Sequence, residues 1–283
     1  MLITEFHRTY LEQGLSSHVI ELFRKLIYAY FKNYKRDFPF RKEITPYNVL
    51  VSEIMLQQTQ TGRVAEKYLE FKGEFPDFLS LSNASNEKLL KVWQGMGYNR
   101  RALALKQIAK IVINEYNGKL PDSVDILKTF PQIGHNTASS IVAFAYNKPS
   151  IFIETNIRRV YIYYFFPKKK NIKDKEILPI VESTVDKDNP REWYYALMDY
   201  GVMLKKTHPE LNKRSSQYRK QSPFKGSNRE IRGKILKILT SESEILESAL
   251  SKKLQLNLDK IRAILQQLEQ EGFIKRNGNR ISI

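Results

Sequence analysis

Apolar residues recur at three- and four-residue spacing through most of the first two hundred positions, the period of helices that bury one face against a core. An all-α core is therefore the expected fold class. Ser17–Tyr34 reads as a helix. Thr45-Pro46 supplies a cap and a first-turn proline for the next. Asn86–Val92 reads as a short helix entered through the polar SNASNE stretch, followed by Arg101–Tyr116. Another begins at Leu120-Pro121-Asp122-Ser123, and Asn136–Tyr146 and Asn189–Lys205 follow. The aromatic run Val160–Phe166 has strand propensity, but its helical surroundings favour a helix. There is no internal repeat.

The character changes at Lys205–Asn228, which is rich in Lys, Arg, Ser, Gln and Gly and contains Pro209 and Pro223. This segment reads as a linker or as a strap of phosphate-contacting charge. After Gly226-Ser227 a separate pattern begins: helices over Arg229–Thr240, Glu247–Leu254 and Asn257–Gln270, then FIKRNGNRISI alternating around Asn277-Gly278. That alternation is a hairpin signature. Three helices and a terminal hairpin predict a winged-helix module over 226–283, with Lys260, Arg262, Lys275, Arg276 and Arg280 available to phosphates. Many such modules bind protein instead; the basic charge favours DNA.

The chain carries 47 basic and 30 acidic residues, a net charge of +17. Such a field favours a polyanion, with double-stranded DNA ahead of an anionic membrane. No uncharged apolar span is long enough for a transmembrane helix, and the N-terminus MLITEFHRTYLEQ has no export pattern. A cytoplasmic, nucleoid-associated monomer is the expectation. With no cysteine in the chain, disulfides, thiolate zinc sites and a cysteine-ligated iron–sulfur cluster are excluded. The histidines His7, His18, His135 and His208 make no metal-ligand spacing, so no metal or cofactor is expected.

Four segments carry chemistry. In VSEIMLQQTQ, Val51 to Gln60, the carboxylate Glu53 lies in an apolar helical run; desolvation there predicts a raised pKa, which suits a general acid. Gln57 and Gln58 follow, amides able to read a nucleobase edge. The same segment also fits a core helix whose Glu is bonded internally. In Phe130-Pro131-Gln132-Ile133-Gly134-His135-Asn136-Thr137-Ala138 a turn exposes helix N-terminal amides, a phosphate site or an ordinary corner. In IFIETNIRRV, Ile151 to Val160, Glu154 ends an apolar run ahead of Asn156 and a helix start, as a catalytic group or as a cap. In Trp93-Gln94-Gly95-Met96-Gly97-Tyr98-Asn99-Arg100-Arg101 two glycines precede a tyrosine and two arginines. These fit a base wedge, with Tyr98 and Arg101 at the DNA, or a core turn.

Taken together, TPYNVLVSEIMLQQTQ, WQGMGYNRRA, LPDS, PQIGHNTASSI and IETNIRRV resemble the helix-hairpin-helix-GPD superfamily of DNA glycosylases, most nearly the A/G-specific adenine DNA glycosylases of the MutY type, over about residues 30–205. The resemblance implies a two-lobed all-α core, with one lobe at 45–150 and the other at 1–44 plus 151–225, followed by the winged-helix module at 226–283. It implies base excision repair by base flipping. Glu53 matches the acid that protonates the leaving base and helps activate water. Glu154 matches the carboxylate that stabilises the sugar cation. Gln57 and Gln58 match residues that contact or replace the flipped base, and Tyr98 matches the wedge. Gln132, Ile133, Gly134, His135, Asn136 and Thr137 match a phosphate clamp. Asn136 stands where bifunctional relatives carry a Schiff-base lysine, which implies a monofunctional enzyme.

The chain departs from the pattern at several points. Glu154 replaces an aspartate, and Gln132 replaces a glycine. The four cluster cysteines are replaced by the basic segment Lys205–Lys220, and the domain that reads 8-oxoguanine by the winged-helix module. The expected substrate is a DNA duplex containing a mismatch or damaged base, led by adenine opposite guanine or 8-oxoguanine. Hypoxanthine, uracil or mismatched thymine are alternatives, as is a catalytically retired DNA-binding or regulatory protein.

Overall fold

The computed structural model describes residues 2–220 and 222–283. Small polar residues open many of its helices by accepting the orphan amides of the first turn. Helix α1 (Leu2–Gln13) precedes α2 (Ser17–Tyr34), which Ser16 caps through the Val19 amide. Thr45 accepts from the Asn48 amide at 3.1 Å, and Pro46 opens α3 (Pro46–Leu56). Helix α4 (Thr61–Glu74) buries only Val64, Tyr68 and Phe71. Helices α5 (Phe78–Ser82), α6 (Asn86–Val92) and α7 (Arg100–Glu115) follow. The short α8 (Val124–Leu127) leads to α9 (His135–Tyr146) and α10 (Thr155–Phe165), then α11 (Asp174–Thr184) and α12 (Pro190–Thr207). The aromatic run within Val160–Phe166 is thus helical, its rings filling the core rather than a sheet face.

The chain divides into two compact units, residues 1–50 with 122–220 and residues 51–121 with 221–283. The N-terminal segment groups with the later helices, and the divisions between the units fall at 50/51, 121/122 and 220/221. The turn at Gln132–Thr137 consequently belongs to the unit that carries Glu154. In that unit the core is aromatic and packed edge to face: Phe6 on Tyr164 at 5.0 Å between centroids, Phe23 on Phe165 at 5.0 Å, Phe23 on Trp193 at 5.7 Å. Asp199, with its side chain fully buried, is held by Arg36 at 2.7 Å and by both terminal nitrogens of Arg41 at 3.0 Å. A buried carboxylate stays charged only with such pairing.

The segment expected as a linker or strap is tied down over its first half. Leu211 is buried. The Ile172 amide donates to the Arg214 carbonyl and the Ser216 amide to the Ile172 carbonyl, both at 2.9 Å. The Arg214 side chain donates to the carbonyls of Lys169 and Phe166, closing the end of α10. This stretch offers no thiolate donor and turns its arginine inward, so it does not fit a cysteine-ligated cluster.

The C-terminal elements are α13 (Asn228–Leu239), β1 (Ile245–Leu246), α14 (Glu247–Leu254), α15 (Leu258–Gln270), β2 (Lys275–Asn277) and β3 (Arg280–Ser282). The order is that of the expected winged-helix module with one further strand. β3 lies between β1 and β2, antiparallel to both, with Ile281 opposite Ile245 and Arg276. The hairpin loop is Gly278-Asn279, with positive φ at Gly278, where a II′ turn requires it. Three arginines expected to meet phosphates are engaged internally: Arg262 and Arg276 flank the buried Glu247, and Arg280 pairs with Glu244 at 2.7 Å. Lys260 and Lys275 remain exposed. Among the described residues no helix is long and apolar enough to cross a membrane.

Candidate functional site

On the unit of residues 51–121 and 221–283, the candidate residues gather where α3 ends. Glu53 is half-buried, between buried Val51 and Ser52 on one side and Ile54 and Met55 on the other. Helix α3 stops after Leu56, leaving its last carbonyls without helical partners. Arg101 supplies them. Its Nη1 donates to the carbonyls of Ile54 at 3.0 Å, Met55 at 2.8 Å and Gln57 at 2.5 Å. Its Nη2 donates to the Thr59 hydroxyl at 2.9 Å and to the carbonyls of Met96 at 3.2 Å and Gly97 at 3.0 Å. Arg101 is 3% exposed, and burial pushes its guanidinium down to about 10, still protonated at neutral pH. The expectation that Arg101 contacts DNA is corrected: it is a buried brace between the Glu53 helix and the Tyr98 turn.

Gln57 and Gln58 lie in the turn after α3. Gln57 is half-buried, whereas Gln58 is exposed with φ of 55°. The Tyr98 turn is tight, with φ of 87° at Gly95, 67° at Gly97 and 48° at Tyr98. A bulky residue in the left-handed region is uncommon and is held there by its surroundings. Trp93 Nε1 donates to the Gly97 carbonyl at 3.1 Å. The guanidiniums of Arg101 and Arg229 stand 5.5 and 5.8 Å from the Tyr98 ring centre, and Arg229 donates to its hydroxyl at 2.8 Å.

On the unit of residues 1–50 and 122–220, the turn before α9 and the segment before α10 are joined. The Asn136 side-chain amide donates to the Ile153 carbonyl at 2.9 Å, and its oxygen accepts from the Ile153 amide at 3.4 Å. His135 Nε2 donates to the Ile151 carbonyl at 3.0 Å. Asn136 and His135 therefore hold the strand-like run that ends in Glu154. Gln132, where a glycine is usual in the family resembled, has φ of 62°, the conformation that glycine adopts without strain. Ile133 is buried, its amide already donating to the Phe130 carbonyl at 3.2 Å, so it anchors the turn. Thr137 is half-buried and its carbonyl accepts from the Ser140 hydroxyl. Gly134 is exposed and has φ of −88°. Nothing within 4 Å of this position would be displaced by a side chain.

Glu154 is the N-cap of α10. Its Oε1 accepts from the amides of Asn156 at 2.7 Å and Ile157 at 2.9 Å. The Glu154 side chain folds back on its own helix, from a backbone of ordinary extended chain at φ −104°, ψ 175°. Desolvation raises the carboxyl above its usual range, opposed by the two amides and by Arg158 and Arg159. Asn156, expected to meet DNA, has its side chain engaged within the chain. It donates to Glu154 Oε2 at 3.3 Å and accepts from Arg159 at 2.7 Å.

Sequence reasoning missed Gly201. A side chain on it would lie 2.4 Å from the Asn156 carbonyl oxygen, and the Gly201 carbonyl accepts from Arg159 at 2.6 Å. Gly201 allows α12 to touch the start of α10 and so sets where Glu154 and Asn156 stand. The signal was a lone glycine inside an 18-residue helix, where it costs about 1 kcal/mol relative to alanine.

Residues 51–185 match the family described as HhH-GPD superfamily base excision DNA repair protein, and residues 225–280 match the TFIIE alpha subunit. The chain is 33% identical over 183 residues to an adenine DNA glycosylase of Buchnera aphidicola subsp. Baizongia pistaciae (strain Bp), covering 63% of this chain and 51% of that one. It is 27% identical over 187 residues to a thymine/uracil-DNA glycosylase of Methanothermobacter thermautotrophicus, covering 65% and 85%. The solved structure of a thermostable thymine-DNA glycosylase superposes with a TM-score of 0.61 at 27% identity, over 65% of this chain and 86% of that one. The chain spans about half the length of the adenine DNA glycosylases it matches.

Proposed function

We propose that this chain, whose residues 51–185 belong to the HhH-GPD superfamily, is a monofunctional DNA N-glycosylase of base excision repair that removes a mispaired adenine opposite guanine or 8-oxoguanine. The observation that carries this reading is Glu53, a half-buried carboxylate in an otherwise buried turn of a helix whose end Arg101 fixes. The target nucleotide is extruded from the duplex, with Tyr98 beside the gap and Gln57 and Gln58 at the base edge. The turn at Gln132–Thr137 takes a backbone phosphate, and the open space at Gly134 leaves room for it. As the C1′–N bond breaks, its electron pair leaves with the base, Glu53 delivers a proton to the base, and Glu154 as a carboxylate stabilises the positive sugar. Water then adds at C1′ and returns its proton to Glu53. Asn136 cannot form an imine with the sugar, and its amide is already bonded to Ile153. A second reading, mispaired thymine or uracil, is favoured by the likeness to thymine/uracil-DNA glycosylase along most of that protein's length.

A panel of duplexes carrying adenine opposite 8-oxoguanine, adenine opposite guanine, thymine or uracil opposite guanine, or hypoxanthine tests this. Fastest release of adenine, strand breakage only after alkali, and no borohydride-trapped adduct are expected. Faster release of thymine or uracil would move the assignment to the second reading, and inertness on every duplex would refute the enzyme.

The raised Glu154 pKa has a consequence of definite sign. The group stabilises cationic sugar only when ionised, so activity falls as pH drops through a value above the ordinary carboxylate range of about 4. Single-turnover release measured between about pH 4 and about pH 8 should show this acidic limb in the wild type, with Glu154→Gln slow and lacking it. Equal rates for wild type, Glu154→Asp and Glu154→Gln would remove Glu154 from the mechanism.

A further inference from the structure

The C-terminal module lies within the same unit as the Tyr98 turn, and it reaches that turn and the start of α7 through α13, the residue that follows it, and Glu271. Arg229 and Arg232 lie one turn apart on α13, and Thr240 is the residue that caps its C-terminus. Thr240 accepts from Gln94, inside the turn, at 2.5 Å. Glu271, just after α15, is held by Arg100 at the start of α7 and by Arg232, and the bond from Arg100 is the main reason its carboxyl lies below the usual range. Arg229 makes the contact with the most direct functional meaning. One terminal nitrogen donates to the Tyr98 hydroxyl at 2.8 Å, while the other donates to the Ser222 carbonyl at 2.8 Å. The guanidinium is thus anchored on its own side before it reaches the tyrosine.

Tyr98 sits in a left-handed backbone conformation with two guanidiniums within 6 Å of its ring centre, and only one of them belongs to the segment matched by the HhH-GPD family. Arg101 fixes the backbone of the turn, through Met96 and Gly97. Arg229 is the side chain that reaches the ring's far end, at the hydroxyl. We infer that Arg229 is a positioning residue for the Tyr98 ring, so that the C-terminal module is a working part of the edge that separates the target base from its partner rather than an appended DNA tether. The inference rests on the reading of Tyr98 as the wedge. It also accounts for Arg262, Arg276 and Arg280 pairing with glutamates inside the module, since a module that acts through Tyr98 has less need of free arginines on its wing.

The test is base extrusion, read without chemistry. Full-length protein is mixed with a duplex carrying 2-aminopurine next to an adenine·8-oxoguanine pair, and the stopped-flow rise in fluorescence is followed. Arg229→Ala should slow or diminish the rise about threefold to tenfold, the loss of one hydrogen bond to a half-buried hydroxyl. Arg229→Lys should recover part of it. Tyr98→Phe, which keeps every charge, should reproduce the Arg229→Ala defect, and the double variant should be no worse than either single one. Additive defects, or a normal Tyr98→Phe, would mean that Arg229 acts on DNA phosphate and would overturn the inference. Tyr98→Ala separates the two levels. If it abolishes the rise while Arg229→Ala and Tyr98→Phe are normal, the wedge stands and the inference fails. If Tyr98→Ala is itself normal, the wedge reading fails and the inference with it.

Discussion

Glu53→Gln is expected to lose base release by roughly 10²- to 10⁴-fold, the contribution of a positioned proton donor, while duplex binding persists. The amide preserves the shape and volume of the side chain, so the helix end that Arg101 braces is undisturbed. What disappears is the proton for the departing base and the carboxylate that accepts one from water. Single-turnover release at saturating protein isolates this step from binding and from product release. Binding is followed separately, by anisotropy of a labelled duplex. A variant releasing base within threefold of the wild-type rate, a loss of about 0.7 kcal/mol or less, would remove Glu53 from the chemistry. A variant that also fails to bind would point to a structural role for the carboxylate.

Much of the architecture was legible because helices announce themselves by spacing and caps. Ser17–Tyr34, Asn86–Val92 and Glu247–Leu254 run as the pattern predicts, each with a clear polar entry or a clear stop. Among the helices that the pattern does not reveal, α4 and α11 escape it for opposite reasons. In α4 three buried residues stand among charges, so the apolar stripe is too narrow to stand out. In α11 Pro179 interrupts an otherwise good pattern, and proline argues against helix interior. Strand β1 has two residues and exists only because β3 is beside it, a long-range pairing that no local pattern carries.

The site was legible as a list of residues and not as a set of roles. Glu53, Glu154, Tyr98 and the turn at Gly134 could be named from motif order. Whether a charged or amide side chain near them faces outward or braces them depends on where distant carbonyls end up. Arg101, Asn156 and Asn136 each satisfy a neighbouring segment, and those partners lie 46, 3 and 17 positions away. Asn156 shows that even a local partner is hidden when the competing choice, a nucleic acid, fits the same chemistry. Arg229 and Gly201 were invisible because their partners, Tyr98 and Asn156, lie 131 and 45 positions away in sequence.

Arg101→Met is expected to have the largest effect on stability, about 3–5 kcal/mol, because several buried acceptors lose their shared donor at once. The substitution keeps an unbranched side chain of similar length, so the volume is largely filled and the loss is one of polar satisfaction. The carbonyls of Ile54, Met55, Gln57, Met96 and Gly97 and the Thr59 hydroxyl lose the donors of a single guanidinium. Each buried acceptor left unpaired costs about 1–3 kcal/mol, softened where water enters. Total stability of a natural domain is only about 5–15 kcal/mol, so the unit holding Glu53 would be brought close to unfolding. Arg101→Lys should rescue little, because an ammonium has three donors on one atom and cannot span the two groups of carbonyls that the planar fork joins. Thermal unfolding should fall by roughly 6–20 °C for both variants, at about 2–4 °C per kcal/mol. The end of α3 and the turn at Gly95–Tyr98 should lose hydrogen-exchange protection together, since one side chain closes both. A fall of less than about 2 °C, or protection lost at only one of the two segments, would show that Arg101 is not the brace that joins them.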